Sequence, residues 1–552
     1  MAQKSSARPK SAKKPANTKK TTVTMVIIFV VVAALFLVPK LLFGGRGANK
    51  MVSDSFVNPK EWSLYDETIA AARTESDMAA RKTLLMRAEN ILMASGGVSP
   101  QYYYGLTYLK SNHLFAVYAD SRAYVYFRHA MPYDAATDIA LELGYEPSTL
   151  DPTFGVDEGI CFLVDLYSNL YTYNDGGLTE NACAESYTVS DDGLTYTVTL
   201  KEGLRWSDGS PLTAEDFARS WQRAITGESL SAYLFEPIVS FEAVDARTFT
   251  FTLAEKCAWA EDLMTLPGLS PVKEGAEDSA KITNGAFFCR EWVPGKCIVL
   301  EKNPYWYDAE NVKVDSVTIR FFDDEQKALE AYLSGEVLLA LSVPEEYLAE
   351  HAEDADVFRT PQFGTNYILF NLNDPRYADM KPEEAACLRT AVNLLIDRDR
   401  LCIRESWIGA DSVVPLGMMD GNGGTFHIRA GDFYDITDRR TNKEVAGMLL
   451  KAAGYELGSD GKLSDKTPLT FTYLINENAD QLATAEIVRE SLAELGITVE
   501  IESASLGEVM GRLEAGDFDM ARFGWFSDYN DPLTVLELFT TDSEYNFCGF
   551  GK

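Results

Sequence analysis

Near its C-terminal end the chain carries a strand, a helix and a second strand in immediate succession, and this unit narrows the possible folds most. Leu469–Ile475 (LTFTYLI) reads as a strand rich in β-branched and aromatic residues. Asp480–Leu495 reads as a helix, with Leu482, Ile487, Leu492 and Leu495 as its apolar positions, and Gly496 stands where it must stop. Ile497–Ile501 (ITVEI) is the second strand. A strand–helix–strand succession of this length is a crossover between parallel neighbours, so a partly parallel sheet covered by helices is expected. Glu444–Ala453 predicts a further helix, stopped at Gly454.

Elsewhere the pattern changes. Between Glu185 and Leu253 short alternating segments dominate, such as TYTVTL (Thr195–Leu200) and RTFTFTL (Arg247–Leu253), and predict a separate β-rich unit. In WSDGSPLTAEDF, residues 206–211 make a turn and Thr213 caps a helix that carries Glu215 and Asp216 in its first turn. Both features are structural. The Gly-rich DGNGGT, Asp420–Thr425, reads as a surface loop, because a phosphate cradle would need a following Lys and helix. With 552 residues, of which 46% are hydrophobic, the chain is long enough for more than one compact unit.

Signs of catalysis are absent from the sequence. It contains no GxSxG, HExxH or P-loop, and its four histidines (113, 129, 351 and 427) are widely scattered. No catalytic residue, metal ligand or cofactor is expected. Asp528, Asn530 and Asp531 could be imagined around calcium, but their spacing matches no known loop.

The first twenty residues, with seven Lys/Arg among Ser, Ala and Pro, have the composition of a disordered basic tail. Met25–Val38 is uninterrupted apolar sequence, and with its flanks, 22–43, it approaches the roughly 20 residues that span a bilayer. Basic residues before the span keep the N-terminus in the cytoplasm and send the body outside. An uncleaved anchor is favoured, and the small residues of Gly44–Ala48 leave a cleaved signal peptide as the alternative. Both put the body outside the membrane. Residues 1–50 hold ten Lys/Arg and no acid, so the remainder has 40 basic against 83 acidic residues. A body so acidic repels a phosphate backbone, which argues against nucleic acid as a partner.

Eight cysteines show neither CxxC nor zinc spacing. Cys289 and Cys297 flank REWVPGK, a hairpin-like turn, so they could lie across from one another as a disulfide or remain separate small apolar residues.

Three long segments carry a family resemblance: Tyr187–Ala224 (YTVSDDGLTYTVTLKEGLRWSDGSPLTAEDFARSWQRA), Thr283–Phe322 (TNGAFFCREWVPGKCIVLEKNPYWYDAENVKVDSVTIRFF) and Phe370–Leu401 (FNLNDPRYADMKPEEAACLRTAVNLLIDRDRL). Together, and in this order, they resemble the extracellular solute-binding proteins of ABC-type peptide importers, the dipeptide- and oligopeptide-binding family 5. EPSTLDP, Glu146–Pro152, resembles the usual mature start of such proteins. The resemblance implies a two-lobed, hinge-closing α/β fold of the periplasmic-binding-protein type (class II) with an extra small subdomain. It also implies a short peptide as ligand, ABC permease subunits as partners, and no catalysis.

The segment DFDMARFGWFSDYNDP, Asp517–Pro532, carries the ligand signal. The resemblance implies that Asp528, three residues after Trp525, binds the peptide's α-ammonium group, and that Arg522, three residues before it, contributes to the carboxylate end. Trp525 and Tyr529 would be apolar walls. A zwitterion entering a closed cleft needs a partner for each charge to offset desolvation. The competing reading of Asp528 is a loop-capping carboxylate in turn-forming sequence. A sugar, a metal chelate or an opine-like compound remains an alternative ligand, and a peptide-sensing receptor an alternative role, with an extracellular hydrolase more remote.

The order of the pieces departs from the family. Members continue beyond a segment like Asn546–Lys552 with an Asn-Pro turn, two helices and a tyrosine-rich strand. Here that continuation stands at the front: SFVNPKEWSLYDETIAAA (Ser55–Ala72), ESDMAARKTLLMRAENILMASGG (Glu75–Gly97), SPQYYYGLTYL (Ser99–Leu109) and RAYVYFRHA (Arg122–Ala130). A circular permutation is the favoured reading, with the old ends joined through His129–Ala136. A duplicated remnant or a helical stalk are the alternatives. The expected organisation is a cytoplasmic tail (1–21), an anchor (22–43), a linker (44–54), a segment completing lobe two (55–101) and one joining lobe one (102–136). Lobe one (137–180), a β-rich subdomain (181–265), the rest of lobe one (266–360) and lobe two (361–552) follow. The protein is expected to be a monomer, held on the cell membrane by one span with its binding domain outside.

Overall fold

The computed structural model describes residues 56–552, apart from 157–158, 228–229, 277–279, 406–407, 422–423, 428–432 and 434–437. The expected tail, anchor and linker lie outside the described residues. Among the described residues no helix is long and apolar enough to cross a membrane.

The first elements are two helices, α1 (Ser63–Thr74) and α2 (Met78–Ser95). Asp77 caps α2 by accepting from the N–H groups of Ala79 and Ala80, and Gly96 ends it at φ 65°, a left-handed conformation that favours glycine. The chain then enters β1 (Val98–Lys110), one of two long strands. The other is β2 (Val357–Phe370). They run antiparallel from Val98↔Leu369 to Leu109↔Val357, with irregularities at Pro100/Tyr102 and Tyr103/Gly105. Both strands belong to an eleven-stranded sheet and lie at its centre.

On one side of this pair stand Leu339–Ala340, Asp138–Glu142, Ser316–Arg320, Cys297–Lys302 and Phe287–Val293. On the other stand β5 (Met520–Phe526), β3 (Thr470–Asn476) and β4 (Thr498–Ala504). Two half-sheets therefore share two crossing strands, the arrangement expected of a two-lobed α/β protein. β3 and β4 are parallel, from Thr470↔Thr498 to Asn476↔Ala504, and the helix Ala479–Ala493 connects them as the periodicity predicts. Ile487, Leu492 and Leu495 are buried, but Leu482 is 46% exposed and lies off the packed face.

The small β-rich unit is a four-stranded antiparallel sheet, Ile238–Ala243, Thr248–Leu253, Thr195–Leu200 and Ala184–Val189. The helix Ala214–Thr226 packs on it behind a capping box of Thr213 and Asp216. Trp206, Trp221, Phe217 and Phe249 fill its own core.

The front helices are built into the lobe that holds β5. Trp62, Tyr65, Ile69, Leu85 and Ile91 share one apolar core with Phe539, Phe547 and Phe550. The indole of Trp62 donates to Phe539 O (2.9 Å), and Tyr65 OH donates to Leu536 O (2.6 Å). The Arg389 guanidinium donates to Ser95 O at the end of α2, where a cation is favoured by the helix dipole.

Of the two readings open for Cys289 and Cys297, the structure shows separate residues rather than a disulfide. Cys289 stands opposite Leu300 and Cys297 opposite Val293, so the two are not cross-strand neighbours. The turn is only the three residues 294–296, shorter than the seven between the cysteines. All eight cysteines are free thiols.

Candidate ligand-binding site

β5 is paired unevenly. Along one edge it pairs with β2 over its full length, Met520↔Phe370 to Phe526↔Gly364. Along the other edge β3 reaches only Met520 and Ala521. From Arg522 to Phe526 that edge has no strand partner among the described residues. An edge of this kind offers backbone N–H and C=O groups to an extended segment.

Side chains alternate along β5. Trp525, with Ala521 and Phe523, faces the core shared with α1 and α2. Its indole meets Tyr545 edge to face at 4.7 Å, and the buried Nε1 has no hydrogen-bond partner among the described residues. Arg522 projects to the opposite face. It donates to Tyr104 OH (3.0 Å) and Asn476 Oδ1 (3.3 Å), and its Nε has no hydrogen-bond partner among the described residues. Tyr104 in turn stacks on Phe526 at 4.5 Å.

The turn after β5 begins with Ser527 N donating to Phe363 O (2.6 Å). Asp528 N–H donates to Thr534 Oγ1 (3.3 Å), whose hydroxyl reaches Asp528 Oδ2 (3.4 Å). The carboxylate thus has a capping contact and also lines the cavities described below. Tyr529 stacks face to face on Trp259 of the small unit, with 4.2 Å between centroids and 11° between planes, and donates to Glu537 Oε1 (2.9 Å). Burial, then the charges of Glu537 and Asp531, push the Tyr529 phenol well above its ordinary range. Asn530 N donates to Asp262 Oδ2 (2.9 Å), and its side-chain amide lies 3.3 Å from Tyr173 OH. The turn therefore bridges the two halves of the molecule.

Two adjoining cavities open around Asp528. One, of about 340 Å³, includes Arg73, Lys256, Trp259, Asp528, Tyr529 and Glu537 in its lining. The other, of about 660 Å³, includes Arg73, Trp525, Asp528, Glu537, Asp542 and Tyr545. Both volumes suit a small ligand. The structure thus gathers Asp528, Trp525 and Tyr529 around one recess and sets Arg522 behind the strand. Three cations line the recess with Asp528: Lys256, Arg81, which is paired with Asp531, and Arg73, which is paired with Glu537 at 2.7 Å. Arg73 is the basic residue in the last turn of α1, and helix periodicity alone carries no signal for it. Lys256 and Trp259 reach the recess from the small unit, and no sequence motif signals either. Among the described residues no group of three or more His, Cys, Asp or Glu could hold a metal ion.

The sequence model of "Bacterial extracellular solute-binding proteins, family 5 Middle" matches residues 179–547. The periplasmic murein peptide-binding protein MppA of Escherichia coli K12 is 28% identical over 440 residues, 74% of this chain and 78% of that protein. The probable deoxycholate-binding periplasmic protein YgiS of the same strain is 28% identical over 439 residues, 73% of this chain and 77% of that protein. In shape the chain is similar to the unliganded open form of MppA, with a TM-score of 0.63 and 24% identity, over 76% of this chain and 84% of that one.

Proposed function

The chain belongs to the bacterial extracellular solute-binding proteins of family 5, and we propose that it captures short peptides in the recess around Asp528 and delivers them to an ABC importer. The family consists of binding proteins rather than enzymes. Relatives named for a peptide and for deoxycholate resemble the chain equally well, so likeness alone does not choose the ligand. The unpaired edge of β5 carries the choice. It is extended and lies between Arg522 and the Asp528 turn, so a peptide backbone could add to it as a strand. Asp528 would then receive the α-ammonium, and Trp525 and Tyr529 would wall the side chains. Arg73 or Arg522 would serve the carboxylate end.

The deciding experiment is mass spectrometry of ligand co-purifying with the protein, followed by calorimetry with tripeptides, their N-acetylated forms and deoxycholate. Blocking the amine should cost about tenfold or more in affinity. Equal binding of acetylated and free peptides would remove Asp528 from its role. Deoxycholate binding without peptide binding would favour the second ligand.

The same reading makes the chain a circular permutation. In support, α1 and α2 complete the core of the lobe that holds β5, and β1 crosses to the other lobe. Gly551 N donates to Pro59 O (2.7 Å), and Phe550 stacks on Trp62 at 4.3 Å, so the two ends of the described chain lie side by side. Adjacent ends make a permutation inexpensive in free energy. The apolar segment 22–43 would then tether the protein outside the cell from lobe two.

A further inference from the structure

The bridge formed by Tyr529 on Trp259, and by Asn530 on Asp262, leaves a separate cavity on its far side. This space, of about 460 Å³, lies between the small unit and the lobe of β5, and neither Asp528 nor Trp525 lines it. Its walls include four aromatic rings, Tyr173, Tyr187, Tyr196 and Trp259, with the carboxylate of Glu261.

Each ring is fixed by another contact. Tyr196 stacks on Phe251 at 4.9 Å with 6° between planes, and Tyr187 tilts against Tyr196 at 5.8 Å. Tyr187 OH donates to Glu261 Oε1 (2.6 Å), Tyr173 OH donates to Asp262, and Trp259 is held on Tyr529. A wall fixed this way loses little side-chain entropy when a ligand enters.

The charge of the lining is one-sided. Among the described residues no Lys or Arg lines the cavity, which argues against an anion as the favoured occupant. Three carboxylates face it. Asp262 is paired with Arg122, and Asp531 is paired with Arg81. Glu261 accepts from Tyr187 OH and from Thr179 Oγ1 (2.7 Å), and no Lys or Arg pairs with it among the described residues. Aromatic faces attract cations, and a partly buried carboxylate without a counter-ion adds to that attraction.

We propose that this second cavity binds an organic cation, an alkylated or primary ammonium group, between the four rings and Glu261. The proposal stands on this cavity alone and does not depend on the peptide reading. Two sources share the chemistry: a free quaternary ammonium compound and the side chain of a lysine.

Calorimetry on the purified full chain tests it with choline, with its neutral isostere 3,3-dimethyl-1-butanol, and with Nα-acetyl-lysine amide. Choline or the lysine amide should bind at least about tenfold more tightly than the isostere. Whichever binds identifies the source. E261Q should lower that affinity by about tenfold, with the thermal unfolding midpoint held. Equal binding of cation and isostere overturns the proposal, as does no binding of either cation at 10 mM (about the weakest useful affinity). Undiminished binding by folded E261Q overturns it too. If E261Q does not fold, the comparison of cation with isostere on the unaltered protein decides. Peptide binding without cation binding sinks this site and leaves the peptide reading intact, and the converse result does the reverse.

Discussion

Arg81 and Asp531, 450 positions apart in sequence, meet as a two-point ion pair, Nη1–Oδ2 2.6 Å and Nη2–Oδ1 2.9 Å, with both side chains sealed from solvent. Arg81 Nε also donates to Ala72 O (3.0 Å), so one guanidinium ties α1, α2 and the turn after β5 together. A buried pair of this kind is costly to break on one side, because the remaining charge loses its partner. Arg81→Ala should therefore lower unfolding stability by about 3–5 kcal/mol in a denaturant titration. It should also weaken ligand binding, since Asp528 stands three residues from the freed carboxylate. The double variant with Asp531→Ala should recover part of the stability. A single variant as stable as the parent would mean that the pair does not hold the turn.

Gly364 sits where β2 passes from one lobe to the other. A Cβ there would lie 2.7 Å from Phe526 Cδ1 and 2.8 Å from Tyr104 Cδ2. Gly524, across the ladder, is equally close to Tyr104 OH, at 2.6 Å. These glycines let the Tyr104–Phe526 stack rest on bare backbone between the lobes. Gly364→Ala should cost about 1–3 kcal/mol through overpacking. Because the strain falls on the crossing strands, the radius of gyration measured by X-ray scattering should change as well. A stability loss with no change in shape would place the strain within one lobe instead.

Asp120 supplies a pH signature. Burial raises its carboxyl above the ordinary range, against the opposing pull of Arg122 and of hydrogen bonds from Tyr124 N–H and Tyr126 OH. Folding therefore favours the protonated form. That contribution is fully present below the unfolded pKa and is lost as pH rises through the folded one. Measured from about pH 4 to about pH 7, the parent should lose stability relative to Asp120→Asn, by roughly 1.4 kcal/mol for each unit of pKa elevation. A difference independent of pH would show that Asp120 is ionised in both states.

What could be read in the sequence was whatever local periodicity determines. The β3–helix–β4 unit and the strand Thr195–Leu200 appear where their patterns place them, because each buries a face set by its own repeat. The sequence leaves the cysteine pair open because strand register depends on where the turn closes, and here a bulge between Cys289 and Glu291 also shifts the ladder. The site divides in the same way. Asp528, Trp525 and Tyr529 belong to one short segment and arrive together, whereas Arg522 follows strand parity to the other face. Arg73, Lys256 and Trp259 come from helices and loops far away in the chain, and only tertiary packing brings them to the recess.

The proposed permutation makes a prediction about connectivity. Removing residues 51–130 from the front and placing them after Lys552, with a short flexible linker, restores the order usual in the family. The new joint would fall between chain ends already in contact, at Gly551–Pro59 and Phe550–Trp62. The chain would be opened between Ala130 and Met131, beside the surface recess that Pro132 and Tyr133 border. No core contact of α1 or α2 would change, because both helices would still pack on Phe539 and Phe550. The rearranged chain should therefore unfold within about 1–2 kcal/mol of the parent, the scale of a changed loop closure, and bind the same ligand. A duplicated remnant pairing between chains predicts a different result. The parent would then be a dimer in sedimentation and the rearranged chain a monomer. Failure to fold across several linker lengths would count against the permutation, since the contacts themselves are untouched.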